Sequence, residues 1–311
     1  MYSNTINSKN PTLIVFLVDR SLSMADPWAS SPVGTKLCEG AATAINEVLY
    51  DLSLRACMKD DSVIDRVHLG IFAYGDERVE WALPGLPEGK GWVAADDWVP
   101  NFSRIEKVDV GEDGGRVIQR EIPIWVEAQA DGSTPMCTAF GMAAEVVGRH
   151  IQDYPDSFPP IVINITDGMP TDTSAPLPQT YDEDWAPDWG DVERAAGEIT
   201  SQGCDDGRTL LLNIHITPNK SDGSLLFPER VPPGSHESIR GMMSISSVLP
   251  ANMVLEGRRN GHDLSEGAKG LIMNADRTML SQFLRIGTTL KPVIQEREQR
   301  LLPTPGFGTG E

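Results

Sequence analysis

An α/β fold with a mostly parallel central sheet follows from three observations. Continuous apolar runs rich in β-branched residues recur at 12–18 (TLIVFLV), 67–74 (VHLGIFAY), 161–166 (IVINIT) and 210–216 (LLLNIHI). Such runs suit strands buried on both faces, as in a parallel sheet. Stretches with apolar residues at helical spacing lie between most of them, and alternating strands and helices build βαβ units with helices on both faces. Third, the polar residues with most chemical potential stand directly after the runs. In such sheets ligands bind beyond the carboxyl ends of the strands.

Taken in order, residues 12–18 form the first strand, followed by a polar segment with Pro27, Pro32 and Gly34. Residues 36–58 read as a helix. Leu37, Ala41, Ala44, Ile45, Val48, Leu49 and Leu52 fall near helical spacing, and no Pro or Gly interrupts after Gly40. Residues 67–74 are the second strand, and 78–83 read as a third that pairs locally at an edge. From 84 to about 130, Pro, Gly and Trp are frequent and GEDGG at 111–115 is a turn signal, which predicts an insertion carrying a hairpin. A helix is expected at 136–151, with small residues on one side, and a buried strand at 161–166. An acidic, Trp-containing segment at 181–191 precedes a helix at 192–201 and a strand at 210–216. Residues 217–241 are rich in Pro, Gly and Ser and read as a long loop. A last amphipathic helix is expected at 275–286, and the tail PTPGFGTGE has the composition of disorder. The expected organisation is one domain over 12–290, with insertions at about 84–130 and 217–245, between termini 1–11 and 291–311.

Composition narrows the function. The 311 residues carry 26 basic and 45 acidic side chains, a formal charge of −19. That balance argues against nucleic-acid binding through a broad basic face and against docking on anionic lipid, both of which need clustered Lys and Arg. The run at 12–18 is far too short to span a bilayer, and no basic region with a small-residue cleavage site precedes it. Cys38, Cys57, Cys137 and Cys204 are scattered, without a CxxC pair or a disulfide framework. This fits a reducing, cytoplasmic setting.

Three short segments carry the chemistry. Asp19-Arg20-Ser21-Leu22-Ser23 follows the first strand in the pattern D-x-S-x-S, and Asp167-Gly168 follows IVINIT. Between them GSTPM opens a helix and places Thr134 at its entrance. Alternate side chains on a chain leaving a strand point the same way, so Asp19, Ser21 and Ser23 can converge while Arg20 and Leu22 turn elsewhere. Gly168 permits a tight exit behind Asp167, and Pro135 suits a first helical turn. Two carboxylates and three hydroxyls are hard oxygen ligands of the kind that suit Mg²⁺, with Mn²⁺ acceptable by the same logic.

DRSLS, GSTPM and ITDGMPTD, in that order, resemble the metal-ion-dependent adhesion site of von Willebrand factor type A (vWA) domains. VHLGIFAYGDERVEWALP resembles that family's second and third strands. The resemblance covers residues 12 to about 290 and implies a Rossmann-like α/β fold with a mostly parallel central sheet, helices on both faces and, here, an edge hairpin insertion. It implies that Ser21 and Ser23 bind the metal through their hydroxyls, and that Thr134 does so directly or through water. Asp19 and Asp167 would then act mainly through water, and the last coordination position would go to a partner's Asp or Glu. It also implies movement of the C-terminal helix, here 275–286. GSTPM and TDGMPTD are most like intracellular bacterial members of tellurium-resistance and stress systems. Leu22 and Ser133 depart from a frequent Gly, without removing a ligand.

The remaining polar and aromatic residues carry simpler readings. Asp172, in the same loop as Asp167, reads first as an ordinary loop carboxylate and second as a group supporting the metal ligands. Asp182, Glu183 and Asp184 read first as a solvated acidic loop whose Trp185 and Trp189 pack back on the body, and second as a partner patch. Trp81, Trp92, Trp98 and Trp125 read as insertion core, His68 and His215 as sheet residues, and the cysteines as small buried hydrophobes. His150, His236 and His262 have no triad context. No G-x-S-x-G elbow, phosphate-binding loop or dinucleotide fingerprint is present. The expected function is a non-enzymatic, Mg²⁺-dependent protein-interaction module that binds a partner's acidic side chain, in a bacterial stress or defence assembly. A metal-dependent phosphohydrolase and a scaffold with a structural ion remain as alternatives.

Overall fold

The computed structural model describes residues 2–4, 6–28, 34–113, 116–178, 185–216, 224–231, 233, 235, 237–274 and 277–288. In chain order the main elements are β1 (Thr12–Asp19), α1 (Leu37–Leu52), β2 (Val67–Gly75), β3 (Arg78–Trp81), α2 (Ala95–Trp98), β4 (Arg104–Asp113), β5 (Arg116–Ile124), α3 (Met136–Asp153) and β6 (Ile161–Thr166). They continue with α4 (Trp189–Thr200), β7 (Leu210–His215), β8 (Leu225–Leu226), α5 (Glu237–Ile245), α6 (Ala251–Arg259), β9 (Leu271–Met273) and α7 (Arg277–Gly287).

Seven strands form the central sheet in the order β8-β9-β7-β6-β1-β2-β3. The five interior strands are parallel, and both edge strands run antiparallel to their neighbours. All eight residues of β1 are buried, as expected for a strand covered on both faces. Its side chains alternate between two cores. Ile14, Phe16 and Val18 pack with α1, α6 and α7 through Leu37, Ile45, Met253 and Phe283. Leu13, Val15 and Leu17 pack with α3, α4 and α5 through Phe140, Val192 and Met242. The protein is therefore α/β, with a mostly parallel sheet between two helical layers.

The sheet order fixes where a ligand can enter. From β1 the chain steps to β2 on one side, and later crosses to β6 on the other. The carboxyl ends of β1 and β6 flank this topological switch point, where crevices open in α/β sheets.

The insertion does carry a hairpin, but β4 and β5 form a separate two-stranded ribbon that does not extend the central sheet. The ribbon's exit is pinned to α1 by Asn46. Its Oδ1 accepts the Trp125 and Val126 N–H groups, at 2.8 and 3.0 Å, and its Nδ2 donates to Val126 O. The Trp98 and Trp125 rings meet edge to face beneath it, both buried. Asp51 of α1 pairs with Arg55, Arg120 of β5 and Arg285 of α7, so one carboxylate joins hairpin and last helix to α1.

Several expectations are corrected. The helix expected over 36–58 is α-helical to Leu52, continues as a π-type turn over Ser53–Cys57, and gives way at Met58 to a short strand. α4 starts at Trp189, three residues early, because the Asp188 carboxylate accepts the Gly190 N–H and caps it. The stretch 217–241 read as a loop contains β8 and the start of α5, and α6 and β9 follow. Cys38 and Cys57 are buried, but Cys137 and Cys204 are only partly so. His150 is fully buried against His68. The acidic residues 182–184 and the tail lie outside the described residues. Trp189 is buried and Trp185 donates to Pro176 O, so both rings turn toward the body. Among the described residues, no helix is long and apolar enough to cross a membrane.

Candidate functional site

Asp19 is the last residue of β1 and has no exposed surface. Its carboxylate accepts the Ser21 N–H at 2.7 Å and the Thr166 hydroxyl at 2.5 Å. These bonds fold the chain back as soon as the strand ends. A 3₁₀ turn over Leu22–Ala25 follows, with the Met24 and Asp26 N–H groups bonded to Ser21 O and Ser23 O. Ser21 and Ser23 therefore meet through a turn, not through extended alternation, and their hydroxyl oxygens lie 3.1 Å apart. Arg20 turns away, to Glu80 and Gln129. Leu22 is 67 % exposed, so its bulk lies in solvent.

Asp167 stands one residue past β6. Its Oδ1 accepts the Ser23 hydroxyl at 2.9 Å and lies 3.5 Å from Ser21 Oγ. Thr134, almost fully buried, arrives from the loop before α3. Gly132 makes that approach possible: its φ is +76°, and a Cβ there would lie 2.3 Å from the Asp76 backbone. Gly168 marks the middle of the group. A Cβ built on it would be 3.2 Å from Thr134 Oγ1, 3.8 Å from Ser23 Oγ and 4.0 Å from Asp19 Oδ2. The structure thus brings Asp19, Ser21, Ser23, Thr134 and Asp167 together at the switch point, around a space kept open by a missing side chain.

The electrostatics of this cradle are those of crowded acid. Burial raises the Asp19 carboxyl to about 6, partly offset by hydrogen bonds from Thr166 and Ser21. Burial and the charge of Asp19 raise Asp167 to about 7, offset in part by Ser23. Two desolvated carboxylates beside three hydroxyls form a hard, anionic donor set with the composition that a small divalent cation prefers. Among the described residues, no three His, Cys, Asp or Glu side chains converge as a metal cage. The hydroxyls are therefore essential to any ion held here.

Sequence reasoning missed Thr166 and Thr171, which shape the site, and gave Asp172 a supporting role only as its second reading. Thr166, the last residue of β6, fixes Asp19 Oδ2. Thr171 accepts the Thr134 N–H through its hydroxyl and returns its own N–H to Thr134 O, both at 3.0 Å. Asp172, read as a loop carboxylate, accepts the Cys137 and Thr138 N–H groups and the Thr138 hydroxyl at the start of α3. The only sequence signal for Asp172 is its fit to helix-capping chemistry, which works here across loops rather than along the chain.

No protein-family model matches the chain, and no curated protein matches its sequence. Among solved structures, the human COPII-coat protein Sec24c shares 10 % identity over 67 % of this chain and 26 % of its own, with a TM-score of 0.36. The ArnB paralog VWA2 from Sulfolobus acidocaldarius shares 12 % identity over 67 % of this chain and 35 % of its own, with a TM-score of 0.32. This chain spans about a quarter and a third of those two chains.

Proposed function

We propose that this chain is a vWA-type protein-interaction module whose contact with a partner depends on a divalent cation, Mg²⁺ or Mn²⁺. The observation that carries the reading is the cradle at Gly168, where oxygens of Thr134, Ser23 and Asp19 surround one point within 4.0 Å. Ser21, Ser23 and Thr134 would hold the ion through hydroxyls, while Asp19 and Asp167 balance its charge. Bound there, the ion supplies a hard electrophilic centre able to take a carboxylate oxygen from a partner's Asp or Glu. With two carboxylates raised by burial, the ion-free site is strained toward protonation, and a dication relieves that strain. The net charge of −19 favours a partner whose surface is basic around the inserted acid. The site serves binding rather than turnover, in the cytoplasm. Its place in a bacterial stress or defence assembly rests on the resemblance of GSTPM and TDGMPTD alone.

The test is calorimetric titration of Mg²⁺ and Mn²⁺ into chelator-stripped protein, beside a Ser21→Ala/Asp167→Ala variant. Saturable binding by the wild type that the variant lacks is the expected result. A folded wild type that binds neither ion, even with acetate present to complete the coordination, overturns the reading. Hydrolysis of p-nitrophenyl phosphate that Asp167→Ala abolishes would establish the phosphohydrolase alternative instead.

A further inference from the structure

The loop that carries Asp167 also grips the loop that carries Thr134. Pro135 lies between Thr134 and α3 and has no N–H, and no side chain of its own segment caps the helix. The Cys137 and Thr138 N–H groups belong to the first turn of α3, where intrahelical acceptors are lacking. Asp172 accepts both, at 3.0 and 2.8 Å, and adds the Thr138 hydroxyl at 2.9 Å. Thr171 completes the grip by exchanging two hydrogen bonds with the Thr134 backbone. Five hydrogen bonds from two adjacent residues therefore join the strand β6 exit to the entrance of α3.

We infer that Thr171 and Asp172 are positioning residues for the cation, setting the distance between the Thr134 hydroxyl and the oxygens of Asp167, Ser23 and Asp19. This rests on the ion-site reading above. Neither residue reaches into the cradle. Thr171 acts through the Thr134 backbone, which it holds on both sides, N–H and C=O, and Asp172 acts through the first turn of α3 that follows; the Thr134 hydroxyl so placed sits 3.2 Å from the Gly168 Cβ position. Groups that orient metal ligands commonly govern affinity almost as strongly as the ligands themselves. A side chain here that keeps its shape but loses its hydroxyl frees the Thr134 N–H and lets the third hydroxyl drift.

The experiment compares Mn²⁺ titrations of chelator-stripped wild type, Thr171→Val, Thr171→Ser, Asp172→Asn and Ser21→Ala. Hydrogen exchange at the Thr134, Cys137 and Thr138 amides is followed in the ion-free proteins. Thr171→Val should weaken Mn²⁺ affinity by about tenfold or more, and Thr171→Ser should restore it, since the hydroxyl is what acts. Asp172→Asn should also weaken it. Exchange at Thr134 should quicken in Thr171→Val, and at Cys137 and Thr138 in Asp172→Asn, while Ser21→Ala leaves all three unchanged. Exchange in β6 should be unaltered throughout, which separates a loosened loop from a loosened fold. If the wild type binds Mn²⁺, Ser21→Ala does not, and Thr171→Val and Asp172→Asn bind as the wild type does, the positioning role is overturned alone. Equal loss in Thr171→Ser and Thr171→Val overturns it as well. A wild type that binds no Mn²⁺ overturns the ion site and the positioning role together.

Discussion

Replacing one Gly168 hydrogen by a methyl group puts a carbon 3.2 Å from Thr134 Oγ1 and within 4.0 Å of Ser23 Oγ and Asp19 Oδ2. Gly168→Ala is therefore the smallest change that fills the cradle without removing a ligand. Its φ lies outside the left-handed region, so the new side chain brings no backbone penalty. Divalent affinity should fall by about tenfold or more, with a thermal midpoint close to the wild-type value, as expected where ligand geometry is disturbed but the core is not. Calorimetry beside a melting curve checks both halves, and unchanged affinity would mean that the ion does not sit against Gly168. The five oxygen-bearing residues were legible because three short segments carry them, each directly after an apolar run or before a helix. Thr166 and Thr171 were not, and Asp172 was only as the lesser of two readings. Their partners lie 147, 37 and 34 or 35 residues away, and nothing local in the sequence marks a hydrogen bond made across that distance.

Among the elements, the hairpin insertion depends on one buried amide. Asn46 is 1 % exposed and takes the Trp125 and Val126 N–H groups on one oxygen. Asn46→Leu would keep the bulk and leave both N–H groups without that acceptor, at a cost of roughly 2–4 kcal/mol. A fall in the urea midpoint of that order is expected, and Asn46→Asp should not avoid it, since it sets a buried carboxylate oxygen against Val126 O where the amide donated. A midpoint unmoved by Asn46→Leu would mean that water replaces the lost contacts. Strands and helices with long apolar patterns were readable: β1, β2, β6 and β7 fall within a residue of their expected ends. The elements that escaped are short. β9 has three residues, between turn-forming neighbours, and α5 has nine with Gly241 inside it. That glycine is there for packing, since a Cβ would strike the Trp189 ring at about 2 Å. Tertiary contact, not local propensity, makes α5 a helix.

Across the whole molecule the two ends of the sheet have opposite acid–base character. At the carboxyl ends lie the two carboxyls raised by burial. At the other end, His68 near the start of β2 and His150 of α3 are hydrogen-bonded at 3.1 Å, with Asp65 on the far side of His68. Trp92 and Tyr154 close around the pair. His150 is fully buried and, among the described residues, its Nδ1 has no hydrogen-bond partner. Burial, with the neighbouring His68, lowers its pKa from 6.5 to about 3. The unfolded chain therefore binds a proton at His150 more readily than the folded one. The stability this group contributes is present above pH 6.5 and is lost as the pH falls from there toward 3. The slope is at most about 1.4 kcal/mol per pH unit. His150→Gln keeps hydrogen-bonding atoms and cannot titrate. The raised Asp19 and Asp167 carboxyls act in the opposite sense in both proteins, so the test is the difference: the wild-type urea midpoint should fall relative to that of His150→Gln as the pH drops from 6.5 to 4. Because His150 lies at the opposite end of the sheet from the cradle, the variant should bind Mn²⁺ at neutral pH as the wild type does. An acid profile unchanged by His150→Gln would place the source of acid sensitivity elsewhere. Altered Mn²⁺ affinity would show that the two ends of the sheet are coupled.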